Sequence, residues 1–493
     1  MSKYLYGASV QGIQDFIFKT NRLKDIVGAS EIVEEISTSF SIEFEKNCEV
    51  IQKAAGNIKL LFNDEKDVKN IVSNFPKKVM QKAYGITISQ AVIKIDNELS
   101  KDNLDKLEEK LKEARNKATV PLDSSINIIK ISPTTGKSAY SYDKNKKEFL
   151  DYATYVKRNN NADRLISKIT DNKDIEFPKE LSHISNAKNK IAIIHADGNG
   201  LGKLLQNLGK KLNQSDIKNV FSSFSISLDK ATTNAAKNAF AKVIKNDKKP
   251  KFRPLILGGD DLSVICSADI ALRFTNEFLK EFEVQTKKEL KSLVDNYDLE
   301  EFKEGLTACA GIAFCNEKYP FHYGINLAED LCKEAKKEAK KINDTLAPSS
   351  LMFYNVQSSF YTSYSDFVKN ELEFNNISFK FAPYYTNKKF GSTIEDFINI
   401  VNCFSAEGSP KSRLRQWLSE LHYDLNYASS LLKRINQVLD SNVKQATNNA
   451  LKELHKDLSL DNLFIKKDSK DYTPIHDIVE IASIVGDKQC KFI

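Results

Sequence analysis

"LILGGDDLSV", residues 255–264, sets Gly258, Gly259, Asp260 and Asp261 between two apolar runs of strand-forming residues. Glycine and aspartate are favoured turn residues, so the tetrad reads first as an ordinary hairpin. Two adjacent carboxylates at a strand tip also suit a divalent-ion site, provided a further carboxylate arrives from a neighbouring element. The rest of the chain has to supply it.

That carboxylate is Asp197. "KIAIIHADGNGLGKLL", residues 190–205, reads as a strand that runs into a Gly-rich turn and then a helix. "SDIKNVFSSFSISLDKATTNAAKNAFAKVI" follows with helical apolar spacing, then the hairpin "PLILGGDDLSVICS", then the helix "ALRFTNEFLKEFEVQTKKEL". "LTACAGIAF" is a buried strand, and "NLAEDLCKEAKKEAKKI" a lysine-rich amphipathic helix. The order is strand, helix, hairpin, helix, strand, with a closing helix.

The same order occurs earlier. "YLYGASVQGIQDFIF" opens it, "ASEIVEEISTSFSIEFEKN" is its helix and "EVIQKAAGNIKLLFN" its hairpin, followed by the helix "DVKNIVSNFPKKVMQKAY" and the strand "ITISQAVIKI". Two copies of one α+β unit, each an antiparallel sheet covered by helices, are expected. Laid together, Asp197 falls opposite Ser9, and Asp260 and Asp261 fall opposite Gly56 and Asn57. Only the second copy keeps carboxylates, so the first is expected to be catalytically empty.

Asp197, Asp260 and Asp261 are the candidate catalytic and metal-ligating residues. Three carboxylates suit two Mg²⁺ or Mn²⁺ ions, which prefer oxygen ligands and keep coordination free for substrate phosphates. Such a pair would activate a ribose hydroxyl and neutralise charge on the α-phosphate and departing pyrophosphate. Gly198, Asn199, Gly200 and Gly202 form a turn whose N–H groups are suited to a triphosphate. Gly258 and Gly259 permit close passage of a ribose or base, although they suit a plain hairpin equally. Lys336, Lys337 and Lys340 could reach the β- and γ-phosphates, although each read alone fits a solvated helix face better. For the purine pocket, only Ser227 and Asn199 offer themselves. His195 reads as a buried, satisfied histidine in preference to a base. The single His476–Asp477 dipeptide lacks the further ligands that an HD-type hydrolase needs.

At 493 residues the chain is too long for one core, and roughly two to four domains are expected. No apolar run approaches the ~20 residues of a membrane span, and the N-terminus has no signal-peptide pattern, so a cytoplasmic protein without a membrane role is expected. Cys48, Cys266, Cys309, Cys315, Cys332, Cys403 and Cys490 form no CxxC pair and read as reduced structural thiols. The net charge of +7 permits contact with nucleic acid without demanding it.

These motifs carry a resemblance. "GIQDFIF" with "NRLKDIVGASEIVEEIS", then "HADGNGLG", "LGGDDL", "AGIAFCNEKYPFHYGINLAEDLCKEAKK" and the tail "GSPKSRLRQWLSELHYDLNYASSLLKRI" resemble the large Palm-domain subunit of type III CRISPR effector complexes, the Cas-ten/Cmr-two family. The likeness spans most of the chain. "GGDD" alone would also suit GGDEF-type cyclases; the paired units and the tail favour the CRISPR family. It departs from the family in two ways. The chain starts directly in the first Palm, without the HD nuclease domain of many members, so no single-stranded DNase activity is expected. "IKISPTTGKSAY" resembles the family's small zinc-binding insertion without its cysteines, so no zinc is expected there.

The resemblance implies an α+β fold with two ferredoxin-like, nucleotide cyclase-like Palm domains, a helical connector and a helical C-terminal domain. The expected divisions are 1–118, 119–185, 186–345 and 346–493, the last marked by "INDTLAPSS". It implies that two facing Palms each help hold a nucleotide, with ATP converted to cyclic or linear 3′,5′-oligoadenylate messengers once target RNA binds a guide RNA complex. Sister type III subunits, guide RNA and target RNA are the implied partners. Three alternatives stand beside it: a stand-alone antiphage cyclase, open to self-association; an enzyme that adenylates another small molecule; and an inactive ribonucleoprotein scaffold.

Overall fold

The computed structural model describes residues 3–485 except 55, 97–98, 118–127, 206–211, 213, 246, 358–367, 375 and 468. Part of the expected connector, 119–127, therefore lies outside the described residues.

The first unit begins with β1 (Lys3–Gln11), α1 (Ile13–Phe18) and α2 (Leu23–Glu35). It continues through β2 (Cys48–Ala54), β3 (Asn57–Phe62), α3 (Glu65–Lys82), β4 (Thr87–Ile95) and α4 (Lys101–Arg115). The four strands order as β2-β3-β1-β4, with β1 antiparallel to both neighbours. Local chemistry sets the helix starts: Asp64 accepts from the Lys66 N–H, and Ser100 with Asn103 forms a reciprocal capping box.

A connector follows. β5 (Ser141–Asp143) and β6 (Glu148–Leu150) form a hairpin, and α5 (Tyr152–Asn159) and α6 (Arg164–Ile169) return the chain beneath α2. The Arg158 guanidinium on α5 is buried against three carboxylates, donating to Asp25 on α2 at 2.8 and 2.7 Å, to Asp143 at 2.9 Å and to Glu148 at 2.6 Å. A buried cation is tolerated only when paired in this way, so connector and first unit are locked together.

The second unit repeats the first. It comprises β7 (Lys190–Gly198), α7 (Gln214–Ile244), β8 (Phe252–Gly258), β9 (Asp261–Ser267), α8 (Ala268–Glu289), β10 (Ala308–Asn316) and α9 (Phe321–Ile342). Strands β8-β9-β7-β10 reproduce the order of the first sheet, and the sheet runs on past residue 345. There β11 (Ser350–Asn355) adds parallel to β10, and β14 (Tyr384–Tyr385) pairs antiparallel outside it. Helix α9 lies directly on β10 because Gly311 has no side chain: a Cβ there would stand 1.9 Å from the Ala328 carbonyl oxygen.

The two units meet across this α9 face. Tyr6, Ile17 and Ile26 of the first unit share one apolar cluster with Ile193, Ile265 and Phe321 of the second. Phe18 and Phe321 bring ring centroids within 5.4 Å, and the Phe321 N–H donates to Asn21 Oδ1 at 2.8 Å. Each fully buried ring contributes about 1.5–3 kcal/mol, so the units are held as one packed pair.

The remainder is mostly helical, with α10 (Ile394–Ser405), α11 (Lys411–Glu420), α12 (Leu425–Val438), α13 (Ser441–Leu454) and α14 (Ile475–Ile484) around the buried Trp417. It also holds a small sheet. Its order is β12 (Glu373–Phe374), β13 (Ile377–Ser378), β16 (Lys470–Tyr472), β15 (Ile465–Lys467). Strands of two or three residues carry no readable alternation, which is why the sequence pattern shows only helices there. Among the described residues, no helix is long and apolar enough to cross a membrane.

Candidate functional site

The C-terminal end of β7 and the β8–β9 tip are brought together by register alone. β7 pairs with β9 from Ile191 opposite Ser267 to Ala196 opposite Leu262, so the next step sets Asp197 against Asp261. Gly258 pairs with Asp261, leaving Gly259 and Asp260 as a two-residue turn. Gly259 has φ +63° and Asp260 stays out of the positive region, the arrangement that calls for glycine at the first turn position. Asp197, Asp260 and Asp261 each offer an oxygen, all within 4.8 Å of one another. Gly198 is needed for that approach. A Cβ on it would stand 2.8 Å from Leu201 Cδ1 and 3.0 Å from both Cβ and Oδ2 of Asp260.

The electrostatics follow from crowding three acids in a half-buried place. Burial, then the neighbouring charges of Asp197 and Asp261, pushes the Asp260 carboxyl up to about 8. Burial and Asp197 raise Asp261 to about 7. At Asp197 burial also acts upward, but the Lys336 ammonium and the hydrogen bond from Asp260 outweigh it, and its pKa is lowered. Lys336 of α9 pairs with Asp197 and donates to the Gly198 carbonyl at 2.7 Å. A protonated Asp260, an ionised Asp197 and an ammonium thus share the charge. An all-oxygen donor set of this kind fits hard divalent ions, whose charge would replace the proton and the lysine.

The surrounding scaffold holds the hairpin from outside. The Gly259 N–H donates to Asp229 Oδ1 at 3.0 Å, and Thr232 donates to the Gly259 carbonyl at 2.6 Å. Both lie on α7, one turn apart. Lys168 of α6 donates to the Leu257 carbonyl at 3.1 Å. None of these three stands out in sequence. The one signal was the three-residue spacing of Asp229 and Thr232 on a helix that must cross the hairpin.

Two cavities flank the triad, and both are built from the two units jointly. One, of about 400 Å³, has Gln14, Asn57, His195, Gly258 and Asp261 in its wall; the other, of about 220 Å³, has Lys59, Leu201, Phe224, Gly259 and Asp260. His195 donates to or accepts from Ser263 Oγ at 3.1 Å, and burial drives its pKa down to about 4. It is a neutral, satisfied strand histidine.

Not every candidate converges. Asn199 is 1% exposed; its backbone N–H donates to the Thr307 carbonyl at 2.8 Å and its side-chain NH2 donates at 3.1 Å to both Thr307 Oγ1 and the Ala347 carbonyl, so these donors tie the turn to the β10 and β11 segments where a reach toward phosphate was expected, while Oδ1 is buried without a partner. Lys336 sits on the carboxylates, where a reach toward phosphates was expected. Lys340 is exposed one turn further on, and Lys337 pairs with Glu334 at 3.2 Å. Gly200 takes φ +69° and Gly202 faces open space just inside the helical residues 201–205. Neither cavity has Ser227 in its wall, whereas Ser225 lies in the smaller one.

The chain is similar to known proteins in family and fold. Residues 190–346 match the family model described as Cas10/Cmr2, second palm domain. Comparison with curated proteins gives no match. Among solved structures, Csm1 of T. onnurineus superposes with a TM-score of 0.56 at 13% identity, covering 98% of this chain and 69% of that one. A Csm1–Csm4 cassette in complex with pppApApA gives 0.54 at 13% identity, with the same coverages of 98% and 69%. A Csm1–Csm4 cassette in complex with cA4 gives 0.52 at 13% identity, again covering 98% and 69%. Residues 190–346 are thus a second palm domain of the Cas10/Cmr2 family, set in a chain that has the fold of Csm1.

Proposed function

We propose that this chain is a metal-dependent nucleotidyltransferase that joins ATP into cyclic or linear 3′,5′-oligoadenylates within a type III CRISPR effector complex. The observation that carries this reading is the convergence of Asp197, Asp260 and Asp261 between two cavities that both Palms build together. One nucleotide on each side would present a ribose hydroxyl of one to the α-phosphate of the other across the triad. Two Mg²⁺ or Mn²⁺ ions held there would supply Lewis-acid activation of the hydroxyl and neutralisation of the departing pyrophosphate. The chain's own groups do the rest. Asp197, Asp260 and Asp261 would hold the ions as carboxylates, and Lys336 beside them would offer a cation to the phosphates. Gly258 and Gly259 let the substrate backbone pass close, while α7 and α6 hold the turn against displacement.

The neighbouring structures support the substrate class: Csm1–Csm4 cassettes occur in complex with AMPPNP, pppApApA and cA4. By the same likeness we infer a Csm4-type partner, with guide and target RNA as activators. The test is to incubate the chain with Mg²⁺ or Mn²⁺ and each nucleoside triphosphate, alone and with a Csm4-type subunit, guide RNA and target RNA, and to identify products by mass spectrometry. Adenylate products only in the full assembly support the complex-bound enzyme. Products from the chain alone identify a stand-alone cyclase, and unchanged ATP in every arm overturns the reading.

A further inference from the structure

Helix α6 has six residues, far too few to persist unaided, so something must hold it in place. Three carboxylates on one face of α2 do so. Glu31 accepts from the Arg164 and Leu165 N–H groups at 3.0 and 3.1 Å, taking the capping role that the side chain of Asp163 leaves unfilled. Glu35 pairs with Arg164, and Glu34 pairs with Lys168 at 2.9 Å. The spacing 31, 34, 35 puts all three on neighbouring turns of a helix.

Lys168 then reaches onward. The same ammonium donates to the carbonyl of Leu257, the residue that leads into Gly258 and Gly259. β8 is the edge strand of the second sheet, so carbonyls on its outer side must find partners beyond the ladder. The contact is partly shielded, with the Lys168 and Glu34 side chains 23% and 13% exposed. Glu34, Leu165 and Leu257 also stand in the wall of the larger cavity beside the triad. A continuous polar path therefore runs from the first Palm, through the connector, to the end of β8, the strand that leads into the turn of Gly259 and Asp260.

We propose that Lys168 is a positioning residue for the hairpin: it fixes the end of β8 against α2 and so makes the placement of the triad depend on the docking of connector and first Palm. This rests on the nucleotidyltransferase reading for its catalytic consequence, and on geometry alone for its structural one.

The experiment has two readouts on the full-length chain. Hydrogen exchange of residues 255–264 is measured without metal or nucleotide in wild type, Lys168→Met, Lys168→Arg and Glu34→Gln, with α10 to α14 as the internal reference. Initial rates against ATP are measured for the same four proteins, in whichever assembly the wild type is active. Lys168→Met is expected to speed hairpin exchange about tenfold, the order expected for losing one charged hydrogen bond, and to lower kcat with little change in KM. Lys168→Arg, which keeps a donor cation, should restore both, and Glu34→Gln should shift both in the methionine direction by less. Unchanged exchange in Lys168→Met with an intact reference overturns the proposal. If Lys168→Met unfolds throughout, wild-type exchange in both Lys168→Arg and Glu34→Gln upholds no positioning link and overturns it, whereas a faster hairpin in Glu34→Gln alone supports it. Loosened exchange with no product from any protein refutes the nucleotidyltransferase reading and leaves the structural role standing.

Discussion

Arg115 stands in the first Palm where Lys336 stands in the second. Each lies on the helix after the fourth strand of its unit, and each donates to the first strand's critical side chain: Arg115 to Ser9 Oγ at 3.1 Å, Lys336 to Asp197. Ser9 in turn donates to Asn57 Oδ1 at 2.7 Å, and Ser9 pairs with Asn57 as Asp197 lines up with Asp261. The first Palm thus has a cation at the corresponding place and neutral hydrogen-bonding groups where the second has acids. Arg115→Met should therefore cost about 0.5–1.5 kcal/mol of stability, the ordinary worth of a hydrogen bond, and leave Mn²⁺ affinity unchanged. Denaturant titration and Mn²⁺ titration of the same variant check both halves.

Metal uptake should be coupled to proton release. Asp260 and Asp261 are raised to about 8 and about 7, chiefly by burial and then by neighbouring carboxylates, and an ion needs them ionised. Mn²⁺ affinity should accordingly rise from pH 6 to pH 8.5. Calorimetry at pH 7 in two buffers of different ionisation heat should show about one proton released per chain or more. Affinity independent of pH would mean that the triad does not hold the ion.

The same crowding has a stability consequence of definite sign. Between the ordinary aspartate range and about 8, the folded chain keeps a proton on Asp260 that the unfolded chain has lost, so stability of the metal-free protein falls as pH rises through that window. Asp260→Asn keeps the shape and the hydrogen bond to Asp197 without the charge. It should stabilise the metal-free chain at pH 8, where the native carboxyl is held protonated against its ordinary range, and abolish Mn²⁺ binding. Thermal melts with and without Mn²⁺ provide the comparison.

Gly311→Ala should act on the site from a distance. A Cβ at 1.9 Å from the Ala328 carbonyl forces α9 away from β10, and Lys336 moves with it. Overpacking of this kind costs about 1–3 kcal/mol or more, and the shift should also lower the affinity for nucleotide. A melt and an ATP-analogue titration on this variant measure the two effects.

Much of this was legible in the chain because the informative residues sit where pattern is strongest. Long strands such as β7 and β10 and the doubled element order are readable from apolar spacing, and the hairpin aspartates could be matched to Gly56 and Asn57 because both hairpins share one register. What escaped lacks pattern. α6, "RLISKI", is too short to show a helical period, and Lys168 in it looks like any surface lysine. β12, β13 and β14 have two residues each, and their pairing is decided by packing at long range. Asn199 reads as a ligand-facing turn residue, and only the fold shows its side-chain NH2 donating to Thr307 and Ala347. Lys336 reads in the sequence as one of three lysines of the closing helix within reach of phosphates, whereas its seat on Asp197 depends on the charge balance of three acids.

The most direct measurement compares wild type with Asp260→Ala/Asp261→Ala for ATP turnover in the presence of Mn²⁺, in the assembly where the wild type is active, with products resolved by mass spectrometry. The account predicts 3′,5′-linked adenylates from wild type, none from the double variant, and an unchanged melting profile within about 1 kcal/mol or a more stable one, since both acids are crowded. Equal product from both proteins would contradict it.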